Sequence, residues 1–283
     1  MTMPDKLDCR KIIVELDLET TRKRYEGSAI KYSVTKTGNG QMNEATIGIC
    51  NMLKEDRDYI LKAATPLRRH RQRKKITLFV GTRDTGTARL FTGDITEATV
   101  TQPPDIWLML KAKTGYFARS SLVSVAAPER EKLSAITDRV AGSMGLQPVF
   151  QADDKMIENY SFTGGAGLQV DKLGEAALVN AYIEDDRLIV RPAGEPLKGK
   201  VRKLDKHSGM IGIPELNEQG VKVKMLHDLE TTVGFQIDIE SELNPAASGS
   251  YVIHKATYTG ESHGQPFYID AEARPKGRRG WIL

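Results

Sequence analysis

The sequence predicts a mainly β fold with an α+β insert, in which two antiparallel β units, each a sheet or a barrel, flank a small α+β domain. Three observations carry this. Both ends of the chain consist of short segments with apolar residues at every second position, the period of a half-buried strand. The middle carries apolar residues at helical spacing. One strand-like stretch also recurs: "DITEATVT" (94–101) and "VIHKATYT" (252–259) share Ile, two variable residues, Ala, Thr, an apolar or aromatic residue and Thr, at an offset of 158.

The first third opens with "KIIVELDLE", where Ile12, Val14, Leu16 and Leu18 alternate with Ile13, Glu15 and Asp17. "AIKYSVTKTGNG" repeats the pattern with Ile30, Tyr32 and Val34 and ends in a Gly-Asn-Gly turn. "ATIGIC" and "KITLFVG" extend it, with a short helix over 54–64 stopping before Pro66. "RLFTGDITEATVT" and "DIWLMLKAK" follow, separated by Pro103-Pro104.

In the middle, Pro128 suits a first helical turn and is followed by Glu129 and Glu131. Leu133, Ile136, Val140 and Met144 recur at helical spacing, and Gly145 is a stop signal. "SFTGGAGLQVDKLGEAALVNAYI" reads as a strand, a loop and a second short helix, and "AYIEDDRLIVRP" as a hairpin turning at Asp185-Asp186. The last third returns to strands in "VKVKML", "FQIDIES", "SYVIHKATYTG" and "PFYIDAEA", each with one apolar and one polar face. Eight residues alone do not separate duplication from a chance likeness of Thr-rich strands. The matching order of neighbouring elements favours a duplicated β unit. The expected divisions are a first β unit at 1–117, an α+β insert at 118–197, a second β unit at 198–274 and a tail at 275–283.

Composition narrows the function classes. The chain has 283 residues with 41 Lys and Arg against 37 Asp and Glu, a net +4. The run "RRHRQRKK" contributes six of those cations, Arg68, Arg69, Arg71, Arg73, Lys74 and Lys75, so the rest of the chain sums to −2. The basicity is local, and aromatics at 6% give little for a base-stacking platform. The two cysteines, Cys9 and Cys50, both fall in strand-like segments and read as buried thiols. Five scattered histidines give no zinc spacing, so no metal and no cofactor is expected. No apolar run approaches the ~18–20 residues of a membrane span. "MTMPDKLDCRK" has no apolar signal segment, which points to synthesis in a reducing cytoplasm.

Motifs for chemistry fail on inspection. "TGGAGLQVDKLG" lacks the Gly-Lys-Ser/Thr ending of a phosphate loop and the spacing of a dinucleotide site, and reads as a tight loop. The pairs Asp153-Asp154 and Asp185-Asp186 stand in turn contexts. The expectation is a protein that is not an enzyme. The basic run has three open readings: a solvated loop, a docking patch for an acidic protein surface, or a sequence-blind contact to a nucleic-acid backbone.

The segment "SGMIGIPELNEQGVKVKMLHDLETTVGFQIDIES" (208–241) and the following "GSYVIHKATYTGESHGQPFYIDAEA" (249–273) resemble the C-terminal part of phage baseplate hub proteins. The elements that carry the likeness are Ile211-Gly212-Ile213-Pro214, Gly220-Val221, Val233-Gly234 and the run from Gly249 to Gly260. "SMGL" at 143–146 and "YSFTGG" at 160–165 are also similar to that family, and the N-terminal third matches more loosely. The resemblance implies two tail-tube-like β-barrels and a homotrimeric virion protein of the tail baseplate, made in the host bacterial cytoplasm. Its implied partners are itself, the tail tube protein, the spike protein and other baseplate subunits, with genomic DNA passing transiently. Three chains would present six similar barrels, matching a hexameric tube on one face and a trimeric spike on the other. The alternatives are a nucleic-acid-binding module using residues 68–75, or a hub or tip protein of a flexible-tailed phage or phage-like injection machine. The terminal Trp281, Ile282 and Leu283 are either a frayed end or an apolar anchor on a neighbouring subunit.

Overall fold

A computed structural model describes residues 10–18, 21–64, 74–199 and 201–277. The fold is mainly β and antiparallel. The first third gives β1 (Arg10–Asp17), β2 (Arg22–Glu26), β3 (Ile30–Thr37), β4 (Glu44–Cys50), α1 (Lys54–Ala63), β5 (Lys75–Thr82), β6 (Gly86–Val100) and β7 (Trp107–Lys113). In β3 the alternation does what the pattern dictates: Ile30, Tyr32 and Val34 are buried.

The middle gives α2 (Tyr116–Ser120), β8 (Leu122–Ala126), β9 (Arg130–Lys132), α3 (Leu133–Met144), β10 (Gln147–Phe150), β11 (Met156–Glu158), β12 (Ser161–Gly165), α4 (Ala166–Ala177), β13 (Val179–Glu184) and β14 (Arg187–Pro192). Helix α3 buries Leu133, Ile136, Val140 and Met144, and Gly145 ends it at φ 65°, the left-handed conformation a glycine adopts without penalty. Two expectations change here. The helix starts at Leu133 rather than at Pro128, because Arg130–Lys132 is taken up by pairing with β11. The glycines of "TGGAG" form no loop: β12 runs to Gly165 and α4 begins at Ala166. A Cβ on Gly167 would lie 2.9 Å from Nε of Arg119, so the glycine admits that side chain.

The last third gives β15 (Arg202–Leu204), β16 (Met210–Asn217), β17 (Gly220–Leu226), β18 (Gln236–Ile239), β19 (Gly249–Glu261) and β20 (Phe267–Pro275). Strand β16 escaped the sequence pattern, since Gly212 and Pro214 interrupt it and it is exposed at six of its eight residues. An exposed proline-bearing strand belongs at a sheet edge, and β16 is one end of its sheet.

The two β units are not separate sheets. Among the described residues thirteen strands form one sheet with the path β16-β17-β20-β19-β3-β4-β7-β6-β5-β1-β2; β18 attaches beside β19, and β15 beside β18. The units meet where β19 pairs with β3, from Lys255 opposite Thr37 to Glu261 opposite Lys31. One hydrophobic core runs through both, from Ile12 to Ala273, and a second fills the insert around Leu133, Val140, Val170 and Leu188.

Within that sheet a five-strand order occurs twice. In the first unit it is β3-β4-β7-β6-β5, in the second β16-β17-β20-β19-β18. Both follow chain order 1-2-5-4-3. The strands that carry the echo, β6 and β19, are each interrupted at the same point. The register shifts between Ile95 and Glu97 against β7, and between Ile253 and Lys255 against β20. Beyond each bulge a cross-strand ion pair forms, Glu97 with Lys111 at 3.0 Å and Lys255 with Glu272 at 2.9 Å, with the charges exchanged.

Candidate functional site

The internal joint lies where the insert meets both β units. Lys36 extends the inward row Ile30, Tyr32, Val34 of β3 and is itself buried. Its Nζ donates to Oε1 of Glu184, 3.0 Å away at the end of β13. The same oxygen accepts from the Thr232 hydroxyl at 2.8 Å, in the connection before β18. Asp185, in the β13–β14 turn at φ 54°, accepts the Thr92 backbone N–H of β6 at 2.9 Å. Arg89 of β6 reaches Asp186 at 3.0 Å. Residues of the first unit, the insert and the second unit therefore converge on one buried polar cluster beside a cavity of about 210 Å³.

The electrostatics favour the charged pair. Burial pushes Lys36 toward losing its proton, but Glu184 and Asp185 outweigh it and hold the ammonium above its ordinary value. Burial raises Glu184, and Lys36 with the Thr232 hydroxyl brings it below the usual carboxylate value. Asp185 ends above its ordinary value, chiefly through burial, although Lys36 opposes this. A paired buried charge is tolerated where a lone one is not, and through Lys36 and Thr232 the Glu184 carboxylate ties the insert to both β units. Sequence reasoning took Asp185-Asp186 for an ordinary turn and missed Lys36. The available signal was a lysine on the inward face of an otherwise apolar strand row.

The external features are two sheet edges. Beyond Ile95, β6 pairs with β7 alone among the described residues, and β16 pairs with β17 alone. Exposed apolar side chains mark both: Val100 on one, Ile213 and Leu216 on the other. Free edges are a liability that proteins cover.

Of the basic run, Arg68, Arg69, Arg71 and Arg73 lie outside the described residues, as do Trp281, Ile282 and Leu283. Lys74 is buried, with Nζ donating to the Tyr59 hydroxyl at 3.2 Å and standing 4.8 Å from that ring's centre. Lys75 is exposed at the first position of β5. Cys50 is a buried free thiol, and Cys9 is outside the described residues. Among the described residues no group of three or more His, Cys, Asp or Glu is placed to hold a metal ion, and no helix is long and apolar enough to cross a membrane.

Solved structures share this fold. A tail protein from Neisseria meningitidis MC58 superposes with a TM-score of 0.68 at 7% identity, over 97% of this chain and 98% of its own. The 43 kDa tail protein of prophage MuSo2 from Shewanella oneidensis gives 0.62 at 9% identity, over 94% and 99%. An E. coli component of the type VI secretion system, described as structurally similar to T4 tail proteins gp27 and gp5, gives 0.59 at 10% identity, over 89% and 74%. No curated protein matches in sequence. The family model described as "Baseplate hub gp41" matches residues 11–273, nearly the whole length, and the chain belongs to that family of structural phage baseplate proteins.

Proposed function

We propose that this chain is the homotrimeric hub of a phage tail baseplate, joining a hexameric tail tube to a trimeric spike around a channel for DNA ejection. The observation that supports this reading best is the repeated five-strand unit. Each chain carries it twice, so three chains present six similar units while keeping three-fold symmetry. Such a ring offers a six-fold pattern to one neighbour and a three-fold pattern to the other. The work is mechanical and positional, without a catalytic role. Its partners are further copies, tube, spike and surrounding baseplate subunits, and its place is the virion.

A second reading places the chain at the tip of a flexible-tailed phage or a phage-like injection machine. It is favoured by the fold shared with a type VI secretion component. Neighbouring genes decide between them, since a sheath gene accompanies a contractile tail. The hub reading itself is tested by electron microscopy of intact particles. It requires this chain on the tail axis between tube and spike, and density elsewhere in the particle rejects it.

A further inference from the structure

Each five-strand unit has two different edges. One is the far half of the bulged strand, β6 in the first unit and β19 in the second. The other is the leading strand, β3 or β16. Within the chain the second unit's β19 edge meets the first unit's β3 edge. Among the described residues that leaves one edge of each kind over, the β6 edge and the β16 edge, and they belong to different units. The two leftover edges are the complementary halves of a joint the chain has already made once.

We infer that the Glu97–Val100 half of β6 pairs antiparallel with β16 of a second copy of this chain, repeating the β19–β3 joint between subunits. This rests on the trimer reading and specifies which strands and which register close the ring. The register follows from the repeat. Tyr258 lies opposite Val34 in the internal joint. The echo equates Tyr258 with Val100. Val34 pairs with Ala45, as Leu216 pairs with Val221. Ala45 and Val221 in turn face the equivalent Ala112 and Ala273. Val34 therefore corresponds to Leu216, and Val100 of one copy faces Leu216 of the next. By the same steps Thr99 faces Asn217, where the internal joint has Thr257 opposite Thr35 with hydroxyls 3.3 Å apart.

Burial supports the assignment. At the internal joint Tyr258 and Val34 are 1% and 0% exposed, while their counterparts Val100 and Leu216 are 38% and 47% exposed. Apolar residues hidden wherever the joint is made, and bare only where it is not, mark a contact awaiting its other half. Because the two edges differ, the contact is head-to-tail and closes as a ring rather than as a two-fold dimer. Pro214 on the edge strand β16 removes one donor from the ladder, so the pairing is carried by the residues on either side of it.

The test places cysteines across the joint. The full chain carries Val100→Cys with Leu216→Cys, in a background of Cys9→Ser and Cys50→Ala, and replaces the native chain in assembled particles. Strands paired in this register bring such residues within disulfide reach. After oxidation a non-reducing gel shows covalent dimers and trimers that revert on reduction, and neither single-cysteine variant shows any. Thr99→Cys with Asn217→Cys reads the same register should the first pair hinder assembly. Trimers by mass with no cross-link from either pair overturn the strand assignment and leave the trimer standing. Cross-links from a single-cysteine variant overturn it too, since they require like edges to meet. A ladder running past three chains keeps the strand pairing and removes the trimer.

Discussion

Thr96 and His254 occupy the same place in two hairpins. Each is the extra residue of a bulge, Thr96 between Ile95 and Glu97 on β6 and His254 between Ile253 and Lys255 on β19. They are 158 residues apart, the offset of the echoed sequence. A bulge re-aims a strand and raises its twist. On β19 it separates the half that pairs with β18 from the half that pairs with β3. On β6 it separates the half that pairs with β5 from the half that, among the described residues, pairs with β7 alone. The same device at the same position lets one strand serve two partners.

The buried pair at the joint gives the largest single-residue effect. Lys36→Met leaves the buried Glu184 with only the half-exposed Arg187, 3.6 Å away, as a counter-ion, and loss of one partner of a buried pair costs up to about 3–5 kcal/mol. Adding Glu184→Met removes the stranded charge and recovers much of that loss. Chemical denaturation of both single variants and the double variant measures it. Additive losses would contradict a coupled pair.

The seam between the two units depends on a glycine. A Cβ at Gly260 would lie 2.5 Å from the ring of Tyr32, its cross-strand neighbour, which is fully packed. Gly260→Ala is therefore expected to destabilise by about 1–3 kcal/mol through overpacking. Gly199→Ala, whose added methyl meets nothing within 4 Å, is the control and stays near neutral. Thermal melts compare the two.

Acid weakens the fold through two histidines. Burial lowers His227 to about 4, and His254 likewise, with Arg274 adding to the latter. His227 lies among the rings of Tyr32, Tyr258 and Phe267. Both titrate lower when folded than the ordinary 6.5, so the unfolded chain binds more protons between about pH 6.5 and 4. Stability is full above that window and falls as pH drops through it, by at most about 1.4 kcal/mol per pH unit for each imidazole. His254, which is partly solvated, contributes less than that limit. His227→Phe keeps an aromatic ring at the stack and flattens the slope. An unchanged slope in stability measured from pH 7 to 4.5 would contradict the assignment.

The basic run is expected to act on protein. Replacing Arg68, Arg69, Arg71, Arg73 and Lys75 with Gln lowers the yield of complete particles and leaves DNA affinity at rising salt unchanged. Normal assembly with a loss of salt-sensitive DNA binding would assign the run to nucleic acid instead.

Much of this architecture is written locally. The alternation of Ile12 to Leu18 and of Val221 to Met225, the helical spacing of Leu133 to Met144 and the turn at Asp185-Asp186 each reflect short-range geometry, and the structure has strands, a helix and a hairpin there. The echo at 94 and 252 was legible because both copies kept their Ile, Ala and Thr positions. The joint itself was not. Tyr32 and Gly260 are 228 positions apart in the chain, and nothing local tells an edge strand which partner will cover it. Strand β16 was hidden for a related reason: an edge strand with Gly212 and Pro214 has no buried face of its own chain to impose alternation. Lys36 showed only as a lysine on the inward face of an apolar row, and its partner Glu184, 148 residues away, was not legible.

Electron microscopy of the tail tip counts the copies of this chain in intact particles and so tests the three-fold hub. Three copies are expected in one ring on the tail axis, with six five-strand units around the channel and β6 of each copy beside β16 of the next. Six copies, a single copy, or three copies meeting through other surfaces would contradict it.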